Sequence, residues 1–319
     1  MTLIDPAKIR NVAVVGHRGV GKTSLVEALL HTAGAKNRLG TVVDGTTTMD
    51  HDEDEIKRQM TISAGLAHLD WAQHKINLVD TPGEASFITE ALGTLPVVEI
   101  ALMAVNAVTK VEVQTERLWK RAREMGISRI VAVNMMDRER AYFGEVLDAL
   151  KAHFGDEVVA IALPIGEEAG FKGIVDLIAL KAYNYSGTAG KGTEGPIPDD
   201  LVDAVNEARE ALVDRVAESD DALLEKYLEG EELSQDEITA ALEVALAAGI
   251  VSPVIPVCAT KNIGADRLLD LILNGSSPLD KSERTAYVGT SGTEETKVVA
   301  PDAKAPPALF VFKTIYDQF

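Results

Sequence analysis

Residues 12–24 read VAVVGHRGVGKTS: an apolar run, a glycine-bearing turn, then a Lys-Thr-Ser start to an amphipathic stretch. Gly16 to Thr23 fits G-x-x-x-x-G-K-[ST], the loop pattern that cradles phosphates between a strand and a helix. Gly16, Gly19 and Gly21 let backbone N–H groups turn inward with no Cβ in the way. Lys22 sets a cation between the outer phosphates, and Thr23 offers a hydroxyl to Mg²⁺. His17, Arg18, Val20 and Ser24 complete the candidate phosphate-binding set. The helix that follows points its positive end at the anion. The surroundings agree, with a buried-strand pattern before the loop and helical spacing after it at Leu25, Ala28 and Leu29. A strand–turn–helix that fits the pattern by chance is the competing reading, and the motifs downstream argue against it.

A chain of 319 residues holds two domains, or one large domain with an insertion, and 46% hydrophobic content supports a sizeable core. The formal charge of −19 argues against binding nucleic acid through a broad basic face. Cys258 is the single cysteine, so there is no internal disulfide framework. The opening MTLIDPAKIRN has no apolar core of a signal peptide. The apolar stretch 95–108 is interrupted by Glu99 and Asn106 and falls short of a membrane span. These features together read as a soluble, cytoplasmic monomer with no membrane or DNA partner.

Strands are predicted at 12–15, 76–80, 97–105, 130–134 and 254–258, and helices at 22–33, 113–125 and 267–273; 61–71 reads as an edge strand. Alternation of this kind points to a mostly parallel sheet covered by helices on both faces. Residues 34–60 are polar, lack a sustained period and are long for a structureless connection, which points to function or mobility. Residues 158–252 interrupt the pattern with an inserted α+β subdomain. It holds short apolar segments, a GTAGKGTEG patch expected to be flexible, and acid-rich helices after Pro198. Those acids suit a solvated helix face, or a docking surface for a basic partner. Residues 291–307 read as a linker, and LFVFKTIYDQF at 309–319 as a strand whose partners lie further along a longer chain. The expected organisation is therefore a nucleotide-binding domain at 1–157 and 253–290, an insertion at 158–252, a linker at 291–307, and the start of a further β-rich domain at 308–319.

A phosphate loop alone does not choose the base. Asn134-Met135-Met136-Asp137 fits N-x-x-D at a strand end. The Asp137 carboxylate can accept two hydrogen bonds from the ring N–H and amino group of guanine, a pair adenine lacks. Asn134 would tie this loop to the phosphate loop, and Cys258-Ala259-Thr260 can aim a backbone N–H at the guanine carbonyl. Asp80, in Asp80-Thr81-Pro82-Gly83, suits Mg²⁺, and Gly83 can give its N–H to the γ-phosphate. Thr61 lies where a hydroxyl could close on Mg²⁺ when that phosphate is present, which makes 34–62 a candidate order–disorder switch. The expected ligands are GTP or GDP with Mg²⁺, the latter at Thr23, Thr61 and Asp80.

With these residues in order, the chain resembles elongation factor G, a translocation GTPase. LLHTAGAKNRLGTVVDGTTTMDHDEDEIKRQMTIS is similar to that family's first switch, and DTPG and NMMDRERAYF follow in sequence. LPIG, GIVDLIALKAYNY and ALLEKYLEGEELSQDEITAAL resemble the insertion in its GTPase domain, and CATKNIGADRLLDLI its last guanine motif. The resemblance implies a five-domain protein that binds the ribosome and contacts the stalk proteins through the insertion, and it makes 308–319 the start of a truncated β-barrel domain. It also sharpens the departures. The family places a water-positioning histidine after D-T-P-G; here Glu84 stands at that catalytic position. A carboxylate there is repelled by the γ-phosphate and, when ionised, only accepts hydrogen bonds. Losing such a group typically costs on the order of 10²–10⁴ in rate. Gly19 replaces a potassium-holding Asp, Arg18 a small apolar residue, Met135 a Lys, Gln59-Met60 a Gly-Ile pair, and Cys258 a serine. Arg18 could serve as a built-in arginine finger or stand in solvent. The sequence therefore describes an elongation-factor-G-like paralogue that binds guanine nucleotide and hydrolyses it weakly. The alternative is a GTP-gated ribosome-binding or regulatory protein without useful turnover.

Overall fold

Strand β1 (Ile9–Val15) lies inside a seven-stranded sheet because Val12 to Val15 are apolar on both faces and fully buried. The computed structural model describes residues 4–274, 284–288, 295–299 and 309–314. After β1 come α1 (Lys22–Thr32), α2 (Glu53–Arg58), β2 (Gly65–Trp71), β3 (His74–Asp80), α3 (Ile88–Thr94), β4 (Ile100–Asn106), α4 (Val113–Glu124), β5 (Ser128–Asn134) and α5 (Phe143–Phe154). Next are β6 (Val158–Ala160), β7 (Ala162–Ile165), β8 (Gly173–Asp176), β9 (Lys181–Asn184), β10 (Thr193–Gly195), α6 (Val202–Ala217), α7 (Asp221–Leu228) and α8 (Gln235–Ala247). The last are β11 (Ser252–Pro256), α9 (Ala265–Asn274), β12 (Arg284–Val288) and β13 (Glu295–Val299).

The large sheet runs β2-β3-β1-β4-β5-β11-β6. Only the edge strand β2 is antiparallel to its neighbour within it. β1 thus pairs with β3 on one side and β4 on the other, so the chain reverses direction of travel across the sheet at β1. In open α/β sheets ligands sit beyond the carboxyl ends of the strands at such a point. The ends of β1, β3 and β5 carry the phosphate loop, Asp80 and Asn134. β4 and β5 are buried along nearly their whole length, as parallel strands covered on both faces must be.

Between β6 and β11 the chain builds a separate four-stranded antiparallel sheet, β10-β9-β8-β7, followed by α6, α7 and α8. β6, expected inside the insertion, instead joins the large sheet beside β11 with Ser252 opposite Val158. Three apolar residues carry no period to separate the two assignments. The GTAGKGTEG patch is not loose either. Thr193–Gly195 pairs with β9 as β10, and the backbone before it is held by Asn262 and Asp266. Helices α2, α3 and α5 are not among those the sequence pattern predicts; α2 and α3 have six and seven residues, too short to show a helical period. Within the range expected to be a linker, Glu295–Val299 pairs antiparallel with Arg284–Val288. Both segments are rich in Val, Thr and Tyr, which suit a pleated ribbon. Among the described residues, 309–314 carry no strand assignment. The remaining linker and barrel positions lie outside the described residues.

Candidate functional site

The phosphate loop leaves β1 at Gly16 and enters α1 at Lys22. Gly21 precedes the helix with φ +85° and no capping side chain, so the first N–H groups of α1 stay open to an anion. Gly16 and Gly21 are sterically required. A Cβ on Gly16 would lie 2.4 Å from the Ala104 carbonyl oxygen, and one on Gly21 would lie 2.5 Å from Asn134 Nδ2. A Cβ on Gly83 would stand 2.3 Å from Lys22 Nζ, so only glycine lets the D-T-P-G segment approach the loop. Lys22 curls under it and donates to the carbonyls of Gly16 (3.1 Å) and His17 (2.9 Å). Burial lowers the basicity of its ammonium, opposed by the nearby Asp80 and Asp50 charges.

Beneath the loop, Thr23, Thr61, Asp80 and Asp50 converge. Thr23 donates to Asp80 Oδ2 at 2.7 Å, Thr61 donates to Asp50 Oδ1 at 2.8 Å, and the two hydroxyl oxygens lie 3.0 Å apart. Three close contacts share two hydroxyl hydrogens, so the set is short of one positive partner unless a carboxyl is protonated. Burial raises the affinity of both Asp80 and Asp50 for a proton. Asp80 Oδ1 and Asp50 Oδ2 are buried with no hydrogen-bond partner. Two hydroxyls and two carboxylates, each carboxylate with one orphaned oxygen, form a hard, all-oxygen donor set, which fits Mg²⁺. Sequence reasoning misses Asp50; its signal is an acid eleven residues before the switch threonine, inside a loop already crowded with acids.

The loop bearing Thr61 is held from two sides. Buried Glu55 on α2 accepts the N–H groups of Ile62 (2.9 Å) and Ser63 (3.1 Å). Fully buried Glu27 on α1 accepts from Lys36 Nζ at 2.5 Å and from the Thr48 N–H. The two carboxylates fold residues 34–62 down over the phosphate end. A cavity of about 230 Å³ remains there, lined by Arg18, Lys22, Thr23, Thr61, Gly83 and Met135 among others.

At the base end, Asn134 is nearly fully buried and bonds in two directions. Its Nδ2 donates to the Val20 carbonyl at 2.9 Å, and its Oδ1 accepts the Ala259 N–H at 3.0 Å. One side chain thereby locks the phosphate loop to the loop after β11. Met135 follows with φ +65° and lines the cavity. Asp137 Oδ2 lies 3.6 Å from Lys261 Nζ, a partner that sequence reasoning misses although it directly follows Thr260. Cys258 is buried, its Sγ 3.5 Å from Thr260 Oγ1, and burial raises its thiol.

Glu84 does not stand alone. Its Oε2 accepts from Arg18 Nη1 at 3.0 Å, and its Oε1 accepts the Ala85 N–H at 3.1 Å, capping a short 3₁₀ turn. Arg18, its side chain 61% exposed, stands largely in solvent while it lines the phosphate-end cavity and pairs with the segment after Gly83. His17 lies 3.6 Å from Glu112 through Nε2. A separate cleft of about 170 Å³ between the small sheet and α9 holds Asp176, Arg267 and Asp270 and none of the motif residues.

Residues 7–277 match the family model of the elongation factor Tu GTP binding domain. A crystal structure of a protein from Thermus thermophilus is similar to this chain, at 36% sequence identity and a TM-score of 0.81. The similarity covers 86% of this chain and 41% of that one, so this chain spans less than half of its solved relative. The family match, the seven-stranded sheet and the loop set at its carboxyl edge agree: the chain belongs to the elongation factor Tu GTP-binding-domain family, the translational GTPases.

Proposed function

We propose that this protein is a cytoplasmic, monomeric, guanine-nucleotide-binding translation factor of the elongation-factor-G-like kind, acting on the ribosome with weak GTP turnover. The phosphates sit on residues 16–24 with Gly83. Thr23, Thr61 and Asp80, joined by Asp50, hold Mg²⁺. Asp137 reads the guanine edge, with Asn134, Met135 and the Cys258–Thr260 segment around the base. When bound, Mg²⁺ neutralises charge on the outer phosphate oxygens. The insertion is the part of the chain assigned to ribosomal stalk contacts. The observation that carries this reading is the pair of hydrogen bonds made by Asn134, one donated to Val20 and one accepted from Ala259, which joins the phosphate loop to the base-end loop. Weak turnover rests on Glu84. Ionised, its carboxylate only accepts hydrogen bonds, at the position where the resembled family places a water-positioning histidine.

The Arg18–Glu84 pair also favours a second reading, a GTP-gated ribosome-binding protein with no useful turnover. Nucleotide binding and GTP hydrolysis by the full-length protein, with and without ribosomes, separate the two. Binding with ribosome-stimulated hydrolysis supports the slow GTPase, and Glu84→His is then expected to raise the rate by about tenfold or more. Binding without hydrolysis supports the second reading. Absence of guanine-nucleotide binding overturns both.

A further inference from the structure

We propose that Arg18 and Glu84 form a γ-phosphate sensor. Glu84 occupies Arg18 when the third phosphate is absent, and the γ-phosphate takes Arg18 from it when GTP binds. This inference rests on the guanine-nucleotide reading above and concerns how the site tells GTP from GDP.

The argument starts from position. Arg18 is the third residue of the phosphate loop, and Gly83 is the backbone that a γ-phosphate would meet; both line the same cavity. Glu84 follows Gly83 directly, and its carboxylate meets Arg18 on the wall of that cavity. The 3.0 Å contact between Arg18 Nη1 and Glu84 Oε2 thus ties a cavity-lining cation to the segment after Gly83. A second cation, Lys22, is nearly buried below and committed to the loop carbonyls. Arg18 is its surface counterpart, with a side chain 61% exposed.

The exchange is chemically matched. A guanidinium binds phosphate and carboxylate with the same planar fork, and the more highly charged phosphate wins. An exposed ion pair is held weakly, so it yields to a stronger partner at little cost. Glu84 has a place to go: its other oxygen already caps the 3₁₀ turn at Ala85, which keeps the carboxylate hydrogen-bonded after Arg18 leaves. GDP carries no third phosphate and leaves the pair closed. The device therefore lowers GTP affinity through Glu84 and restores it through Arg18. It couples occupancy of the γ position to the segment that opens α3, since Glu84 begins the 3₁₀ turn running into that helix.

The test uses mant-GDP and mant-GMPPNP binding to the full-length protein and to Arg18→Ala, Glu84→Gln and the double variant. Both side chains lie toward the surface, so the variants leave the core untouched. Glu84→Gln removes the competing charge and is expected to raise the GMPPNP-to-GDP affinity ratio about fivefold; Arg18→Ala is expected to lower it by a similar factor. In the double variant the gain from Glu84→Gln is expected to vanish, because it acts through Arg18. Equal shifts for both nucleotides, or a gain from Glu84→Gln that persists without Arg18, overturn the sensor while leaving the guanine-nucleotide reading in place. Failure of the unmodified protein to bind either nucleotide overturns that reading and the sensor with it.

Discussion

Gln59 closes α2 in a left-handed conformation, φ +50° and ψ +46°, with its N–H donating to the carbonyls of Glu55 and Ile56. Glycine adopts that conformation without a Cβ clash, and helices commonly end on it for this reason. Gln59 thus carries backbone strain of about 1 kcal/mol. It also lines the nucleotide cavity, two residues before Thr61. Strain retained beside a ligand site is a familiar way to keep a side chain where it is needed. Gln59→Gly is expected to stabilise the α2 turn by about 1 kcal/mol. Because the gain is local, native-state hydrogen exchange of the α2 amides reads it: slower exchange there supports the strain, and unchanged exchange refutes it. The sequence could show that glutamine replaced glycine at this point. It could not show the sign of φ, because that is fixed by where Glu55 clamps the Ile62 and Ser63 N–H groups.

At the scale of one element, α8 is the helix whose start is best defined. Ser234 accepts the Glu237 N–H, and Glu237 in turn accepts the Ser234 N–H at 2.7 Å, a reciprocal capping box. Lys226, arriving from α7, adds an ion pair at 2.7 Å. Hydrogen bonds from Lys226 and then from Ser234 hold the Glu237 carboxyl down at about 2, against 4.5 ordinarily. A depressed carboxyl contributes stability that is fully present above its unfolded value and is lost as pH falls through its folded value. The contribution of Glu237 is therefore expected to disappear between about pH 4.5 and 2. Glu237→Gln should flatten helix loss, followed by far-ultraviolet circular dichroism, over that window. Ser234→Ala is expected to cost about 1 kcal/mol at neutral pH in urea unfolding. S-x-x-E before an apolar run is the signature of such a cap, one that sequence reasoning missed here, whereas the phosphate loop was legible in its glycines. The strands of the large sheet were legible for a related reason, since parallel strands buried on both faces read as unbroken apolar runs. Short elements such as α2 and β6 were not, because their placement depends on partners distant in sequence. The convergence of Asp50 with Thr61 and Asp80 was hidden for the same reason: the chain separates them by up to thirty residues, and only the fold closes the set.

The whole molecule is held together where the insertion meets the nucleotide-binding lobe. Asp266, buried at the start of α9, accepts from the Tyr185 hydroxyl at 2.5 Å and from the Gly192 N–H at 3.0 Å. Burial, reinforced by that carboxylate, pushes the Tyr185 hydroxyl well above its ordinary range, so it stays a donor. Asn262, in the loop after β11, donates to the Thr188 carbonyl at 2.9 Å and to Thr32 Oγ1 at 2.9 Å. The arm from Tyr185 to Gly192 is thereby pinned against the end of α1 and against the loop that carries Cys258, Ala259 and Thr260. A glycine-rich composition suggested freedom; at Gly190, however, the Thr32 and Asn262 side chains pack too closely for any residue but glycine. Two glycines in this arm separate the causes. Gly187 and Gly190 both have φ +69°. A Cβ on Gly187 would meet nothing within 4 Å, whereas one on Gly190 would lie 1.9 Å from Thr32 Oγ1 and 2.3 Å from Asn262 Nδ2. Gly187→Ala is expected to cost about 1 kcal/mol, the backbone term alone. Gly190→Ala adds broken hydrogen bonds at a buried junction and is expected to cost about 3 kcal/mol in urea unfolding. Equal costs would mean that the arm is not docked and that the insertion hangs free of the base-end loop. Unequal costs, together with weaker GDP binding in the Gly190 variant alone, would place the insertion in mechanical contact with the base, through Asn262 and the loop that Asn134 locks to the phosphates.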